Sequence, residues 1–209
     1  MNYPRPIQNL IDILAKLPGV GPRQAARFAF FLLKDQSGLS RDLTEALTSL
    51  SQVGSCILCF RTIEKMDPGE QLCTLCKDTK RDHSTIAVVE KESDMQNLEH
   101  TGAFSGLYHI LDGVVSPLDT ESPKRLHLRE LYARALKLLE HSGTAEVILA
   151  TSSTTEGDTT ALYIDRILSP LKDKFPNFTI TRLGRGLSLG SELEYADEIT
   201  LKSALTNRR

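Results

Sequence analysis

"VILATSSTTEGDTTALYI" (residues 147–164) decides the fold class: an apolar run leads into a polar turn, and apolar positions resume beyond it. The pattern reads as a buried strand passing through the turn into a helix. Such a turn lies where an α/β enzyme places catalytic groups, and it carries two carboxylates, Glu156 and Asp158. The positions at the strand end itself are Ser152 and Thr154.

Working outward, three more strands are expected: "TIAVVE" (85–90), "LYHIL" (107–111) and "FTITRL" (178–183), beside "EVILA" (146–150). Ser93 could cap a short helix to about His100. Ser122 and Pro123 start another, with Leu128, Leu131, Ala135 and Leu138 on one face and Gly143 at its end. Strands separated by helices imply an α/β fold, a mostly parallel sheet with helices on both faces.

Upstream the pattern is helical. Ile7, Leu10, Ile11 and Leu14 fall at helical spacing and "LPGVG" breaks it. Pro22 opens a second helix that Gly38 closes off, and a third runs from about Ser40 with Leu43, Leu47 and Leu50. Four parts are therefore expected: a helical part over 1–53, a cysteine-bearing part over 54–80, the α/β part over 81–180, and a segment over 181–209, glycine-rich and then extended.

The chain has 209 residues, 40% of them hydrophobic, enough for real cores, and a net charge of −2. That charge excludes a protein that coats nucleic acid by bulk charge, but not a local basic face. Residues 1–34 hold five Lys and Arg against Asp12 alone, whereas residues 86–121 hold seven Asp and Glu against Lys91 alone. A basic head and an acidic middle suggest different partners. No stretch approaches the roughly 20 apolar residues of a membrane span, and no signal peptide is evident, so a cytoplasmic location is expected. In that reducing compartment disulfides are a poor explanation of four cysteines.

Cys56-x-x-Cys59 and Cys73-x-x-Cys76 present four thiolates to one tetrahedral ion, the arrangement Zn²⁺ favours; the competing reading is a redox pair. With no coordination position left open, a zinc site here is structural. "LPGVGPRQAARFAFFLL" (17–33) reads as helix, glycine-rich hairpin and helix. Gly19 and Gly21 allow the turn and a close approach, the second helix's first N–H groups point at an anion, and Arg23 and Arg27 share a face within reach of adjacent phosphates. This is the helix-hairpin-helix pattern of sequence-independent DNA binding; the alternative is an ordinary helical hairpin with solvated arginines. One such motif binds weakly, which implies several copies.

Glu90 at the end of "IAVVE", "HILDGVVSPL" (109–118) and the quoted strand-turn-helix together resemble the Toprim domain of topoisomerases and primases. In that family a strand-end glutamate and an Asp-x-Asp bind Mg²⁺. Glu90 matches the glutamate and Glu156-Gly157-Asp158 the acidic tail, but Ser152 and Thr154 stand at the aspartate positions. Neutral hydroxyls lack the charge to hold a catalytic Mg²⁺, and the turn has no tyrosine nucleophile. Glu90, Glu156 and Asp158 are left with weak Mg²⁺ binding at most, and the acidic rim reads better as a docking surface.

With the three modules in this order, the chain resembles the RecR family of bacterial recombination mediators. The resemblance rests on "LPGVGPRQAARFAF", the two CxxC pairs, "VVEKESDMQNLEHTGAFSGLYHILDGVVSPLD", the quoted stretch and "GLSLGSELEYADEITL". It implies a non-enzymatic DNA-repair factor forming ring-like homo-oligomers, often tetramers, through its N- and C-terminal parts. It further implies that the protein works with RecO and RecF to load RecA onto gapped DNA. Arg23 and Arg27 would face the DNA; Glu90, Glu156 and Asp158 would lie on the rim that docks RecO. Many relatives carry Asn-Pro-Thr where this chain has Ser152-Ser153-Thr154, and a glutamate where Asp158 stands; neither change restores the missing aspartates.

Three further features carry expectations. Histidines 83, 100, 109, 127 and 141 show no ligand spacing and read as surface or helix-end residues. Phe28, Phe30, Phe31, Leu32 and Leu33 are too many for one core face and suggest an oligomer interface. "LGRGLSLG" (183–190) lacks the Lys-Ser/Thr of a P-loop and reads as a connection into a last strand. The function readings are a DNA clamp and adaptor, a metal-dependent Toprim nuclease or primase-like enzyme, and a scaffold that does not touch DNA.

Overall fold

The computed structural model describes residues 3–65, 71–187 and 190–208 and divides the chain into two compact units, Met1–Gly54 and Ser55–Arg209. The first unit holds α1 (Arg5–Leu14), α2 (Pro22–Lys34) and α3 (Leu39–Ser49). Ala25 and Ala29, one turn apart, let α1 and α2 approach closely around Ile11, and Ile7, Leu10 and Leu14 close this small core. The second helix stops at Lys34, short of Gly38. Gly38, at φ +90°, instead begins α3, where Asp35 Oδ2 accepts the Leu39 N–H at 2.8 Å.

No residue of α3 is buried, and Leu39, Leu43, Leu47 and Leu50 are 40–61% exposed. Phe28, Phe31 and Leu33 of α2 are exposed as well. Together with Tyr3, the two helices line an apolar groove of about 910 Å³.

The division falls inside β1 (Val53–Ser55), which pairs with β2 (Thr62–Glu64) in a two-stranded ribbon ahead of the short α4 (Thr74–Lys77). There follow β3 (Asp82–Val89), α5 (Glu92–His100), β4 (Gly106–Ile110), α6 (Ser122–Arg125), α7 (Leu128–Ser142), β5 (Ala145–Leu149), α8 (Thr155–Lys174) and β6 (Phe178–Arg182). The four long strands form one parallel sheet in the order β4-β3-β5-β6.

A parallel sheet is covered on both faces, so its central strands run apolar where the cover lies, over residues 86–89 of β3 and 147–149 of β5. Ile86, Val88, Val147 and Leu149 pack on Leu128, Leu131, Ala135 and Leu139 of α7 and on Ala161, Ile164, Leu168 and Leu171 of α8. The opposite face, with Ala87, Val89, Tyr108 and Ile110, is covered by Met95 and Leu98 of α5 and by Phe60 and Leu75 of the cysteine-bearing stretch. That stretch is thus part of the second unit's packing.

Several expectations change. The helix expected from Ser122 to Gly143 breaks at Leu126, which turns extended and buries its side chain, while the His127 N–H donates to Leu111 O at 3.2 Å. Leu139, not Leu138, is the fourth buried position on α7, since the stripe follows Leu128, Leu131 and Ala135 around the helix. Lys91 precedes the first residue of α5, so Ser93 lies inside that helix instead of capping it. The C-terminal segment is not extended: after a single turn at Leu193–Tyr195 it forms α9 (Glu198–Thr206). Asp197 caps that helix, its carboxylate accepting the Thr200 N–H at 2.9 Å and the Thr200 hydroxyl at 2.7 Å. Ser188 and Leu189 of the glycine-rich run lie outside the described residues. His109 is neither on the surface nor at a helix end but fully buried in β4. No described helix is long and apolar enough to cross a membrane.

Candidate functional site

The hairpin between α1 and α2 is closed by Val20 N–H on Leu17 O at 3.1 Å. Gly19 takes φ +77°, a conformation L side chains rarely adopt, so a glycine is required there. Gly21 sits at φ −80°, open to any residue, and as at Gly19 nothing lies within 4 Å of where its Cβ would stand, so neither its backbone nor its surroundings demand a glycine within this chain. Pro22 occupies the first turn of α2, and no side chain caps that end, which leaves first-turn N–H groups available to an anion. Arg23 and Arg27 are exposed and form no ion pair among the described residues. Lys16, which sequence reading counted only in the charge balance, is exposed on the same hairpin.

The four cysteine sulfurs of Cys56, Cys59, Cys73 and Cys76 all lie within 4.8 Å of one another and are buried. A zinc–sulfur bond of about 2.3 Å gives a tetrahedron with edges of about 3.8 Å, so this cluster suits one ion held by four thiolates. Backbone amides already face the sulfurs: Cys73 N–H donates to Cys56 Sγ and Cys76 N–H to Cys73 Sγ, both at 3.4 Å. The knuckle docks on the sheet through Ile110 N–H on Cys59 O at 3.0 Å and through Phe60, whose ring stacks on His127 at 3.6 Å.

The carboxyl ends of β3 and β5 lie side by side where the strand order switches, with α5 on one face and α7 and α8 on the other. In open parallel sheets that crevice is where ligands bind. Here it is filled from within. Glu90 is 8% exposed, and its two carboxylate oxygens accept from Ser152, one from the N–H and one from the hydroxyl, each at 2.8 Å. Thr154 is also engaged, as its hydroxyl accepts the Gly157 N–H at 3.1 Å and caps α8. A Cβ on Gly157 would stand 2.1 Å from Ser152 O and 2.9 Å from Glu90 Oε1, so only glycine allows the turn to press this closely on the glutamate. Its role was not read from the sequence, where only its flanking acids stood out.

Of the two carboxylates in the turn, Glu156 stands exposed, without an ion pair among the described residues. Asp158 is engaged by Arg185, one of whose nitrogens donates at 3.2 Å, and by Arg182 at 3.4 Å. The Arg185 guanidinium holds the Asp158 carboxyl below the usual carboxylate range. Glu90, Glu156 and Asp158 therefore do not act as one cluster: the first is sealed in, the second free and the third paired. Among the described residues the cysteine tetrad is the one group of three or more such side chains close enough to share an ion.

Comparison with known proteins agrees with these modules. Residues 7–51 match the RecR helix-hairpin-helix family, residues 84–183 the Toprim domain family and residues 186–209 the RecR C-terminal family. The chain is 44% identical to "Recombination protein RecR" of Moorella thermoacetica, across 100% of this chain and 98% of that protein. It is 42% identical to the protein of that name from Mycobacterium leprae, over 98% of this chain and 97% of the relative. A third, from Nocardia farcinica, is 44% identical over 99% and 98%. With the hairpin, the cysteine tetrad and the Toprim crevice in this order, and such identity along its whole length, the chain belongs to the RecR family of recombination proteins.

Proposed function

We propose that the protein is a non-enzymatic DNA adaptor of recombinational repair. The observation that carries this reading is the occupied crevice. Ser152 donates twice to Glu90 where a Toprim enzyme assembles its metal-binding carboxylates, and neutral hydroxyls cannot replace the missing charge. Arg23 and Arg27, with Lys16 beside them, bind phosphates at the open start of α2 without reading sequence. Gly19 shapes the turn and Gly21 keeps it clear for the backbone to approach. The four cysteines hold one structural Zn²⁺; Mg²⁺ is at most a weak ligand of the rim.

The exposed leucines of α3 and phenylalanines of α2 are the faces of a homo-oligomer, a tetramer ring in the reading taken from the family, with the C-terminal segment over 181–209 as its other contact. Such an assembly multiplies the weak grip of one hairpin. Beyond the helical part the chain divides in function into the zinc module over 54–80 and the Toprim part over 81–180. Its acidic turn receives RecO. Glu156 makes the contact, Glu90 anchors the turn through Ser152, and Asp158 fixes it to Arg182 and Arg185. Together with RecF, the protein loads RecA on gapped DNA in the cytoplasm.

The test is binding to gapped duplex over a range of salt. Wild-type affinity should fall by about 0.9 log units per log unit of salt for each phosphate contacted. Arg23→Glu with Arg27→Glu should abolish retention. A double variant holding DNA with the wild-type salt dependence would remove the hairpin from the interface.

A further inference from the structure

Arg134 projects from α7 between the cysteine knuckle and the sheet. Its Nη1 donates to Leu58 O at 2.8 Å, a carbonyl lying between Cys56 and Cys59, and to Tyr108 O at 2.6 Å on β4. Both hydrogens of that nitrogen are therefore used, and one atom joins the metal-binding loop to an edge strand of the sheet. Nη2 is buried without a hydrogen-bond partner among the described residues. No carboxylate pairs with this guanidinium there. Leu58 stands between Cys56 and Cys59, so the guanidinium lies against the loop that carries two of the four sulfurs. Burial lowers the Arg134 pKa, and the four cysteine sulfurs act against that shift.

We propose that Arg134 is the outer-sphere countercharge of the cysteine metal centre and the strut that ties its occupancy to the Toprim sheet. The inference rests on the zinc reading above. Four thiolates on a divalent ion leave a net charge of about −2 in a buried site, and burying charge is costly unless an opposite charge lies close. A guanidinium held by two carbonyls supplies that charge without competing for a ligand position. The dependence is mutual. When the metal leaves, the loop that carries Leu58 is no longer held by its four ligands, and the bridge through Arg134 from Leu58 to Tyr108 weakens. Metal loss is then felt in β4 as well as in the knuckle. Groups just outside a coordination shell commonly shift metal affinity 10- to 100-fold.

The experiment uses full-length, zinc-loaded wild type, R134Q and R134K. Zinc transfer to a chromogenic chelator gives the release rate, and amide hydrogen exchange over residues 106–111 is followed before and after stripping. R134Q, which keeps donors but loses the charge, should release zinc about tenfold faster or more, while R134K, which keeps the charge, should stay within about threefold of wild type. Stripping should deprotect residues 106–111 in wild type and add little in R134Q, where that protection is already reduced. Equal release rates in wild type and R134Q would overturn the proposal whatever the two melting temperatures, because backbone bonding alone would then explain Arg134. A wild type that neither contains nor takes up zinc would overturn the metal reading itself, and this inference with it.

Discussion

His109 should make the stability of the second unit depend on pH, and the size of the effect follows from its burial. The imidazole is fully buried in β4, with Nε2 at 2.8 Å from His127 O and the Phe60 ring edge-on at 5.3 Å. Burial first, then the Arg134 and His127 charges, lowers its pKa from 6.5 to about 3 against the opposing His127 carbonyl bond. The folded state thus keeps this histidine neutral while the unfolded chain takes up a proton below about pH 6.5. Its contribution is intact above that pH, declines as pH falls through it, and levels off below about 3. Well below 6.5 the slope is about 1.4 kcal/mol per pH unit, which makes about 2 kcal/mol lost between pH 7.5 and 5.

The assay is urea unfolding of zinc-loaded protein at fixed concentration, at pH 7.5, 6 and 5, on wild type and His109→Gln. The glutamine amide can still donate to His127 O but has no proton to gain. Acid effects on the zinc site and on association enter both curves, so the wild-type stability relative to the variant should shrink by about 2 kcal/mol across the range. Parallel curves would mean that His109 titrates alike in both states and that its burial does not hold it neutral.

Three further outcomes are expected. Gly157→Ala places a methyl against a backbone oxygen that no rotamer change can avoid, so it should cost about 3 kcal/mol and loosen the Glu90–Ser152 contact, read by denaturant unfolding and by hydrogen exchange at Ser152. Thr160→Val removes the hydroxyl that accepts the buried Val115 N–H at 2.8 Å, and should cost about 1–3 kcal/mol in the same unfolding measurement. Stripping zinc should expose residues 55–77 to protease, since so short a stretch has little core beyond its four cysteines and Ile63, Leu72 and Leu75; unchanged protease resistance would count against a structural ion.

Much of the site was legible because its signals are local. Two CxxC pairs can hardly be brought together except around an ion or as redox couples, and Leu17 to Arg27 carries its turn, helix start and charges within one short window. The parallel sheet was legible from the apolar runs that two-sided burial demands. What escaped depends on partners distant in sequence. Glu90 and Ser152 are 62 positions apart, so the sealing of the crevice, and the need for glycine at 157, appear only when β3 and β5 lie adjacent. His109 was misread because a polar residue in an apolar strand gives no sign of the carbonyl awaiting it from His127. The C-terminal helix was missed although Asp197 ahead of Glu198 is a sound capping signal; the glycines before it and the β-branched Ile199 and Thr200 argued for extended chain. Nothing in the sequence around Arg134 announces its carbonyl partners, Leu58 and Tyr108, which lie 76 and 26 positions away.

On the function proposed above, this Toprim site serves binding and not strand cleavage. The most direct test is gapped, end-labelled DNA incubated with the protein and Mg²⁺, then run in parallel on native and denaturing gels. The expected result is a shifted band on the native gel that weakens as salt rises, and full-length strands on the denaturing gel. Shortened strands that disappear with Glu90→Gln would contradict it, because the glutamate bound by Ser152 would then still be doing metal-dependent chemistry.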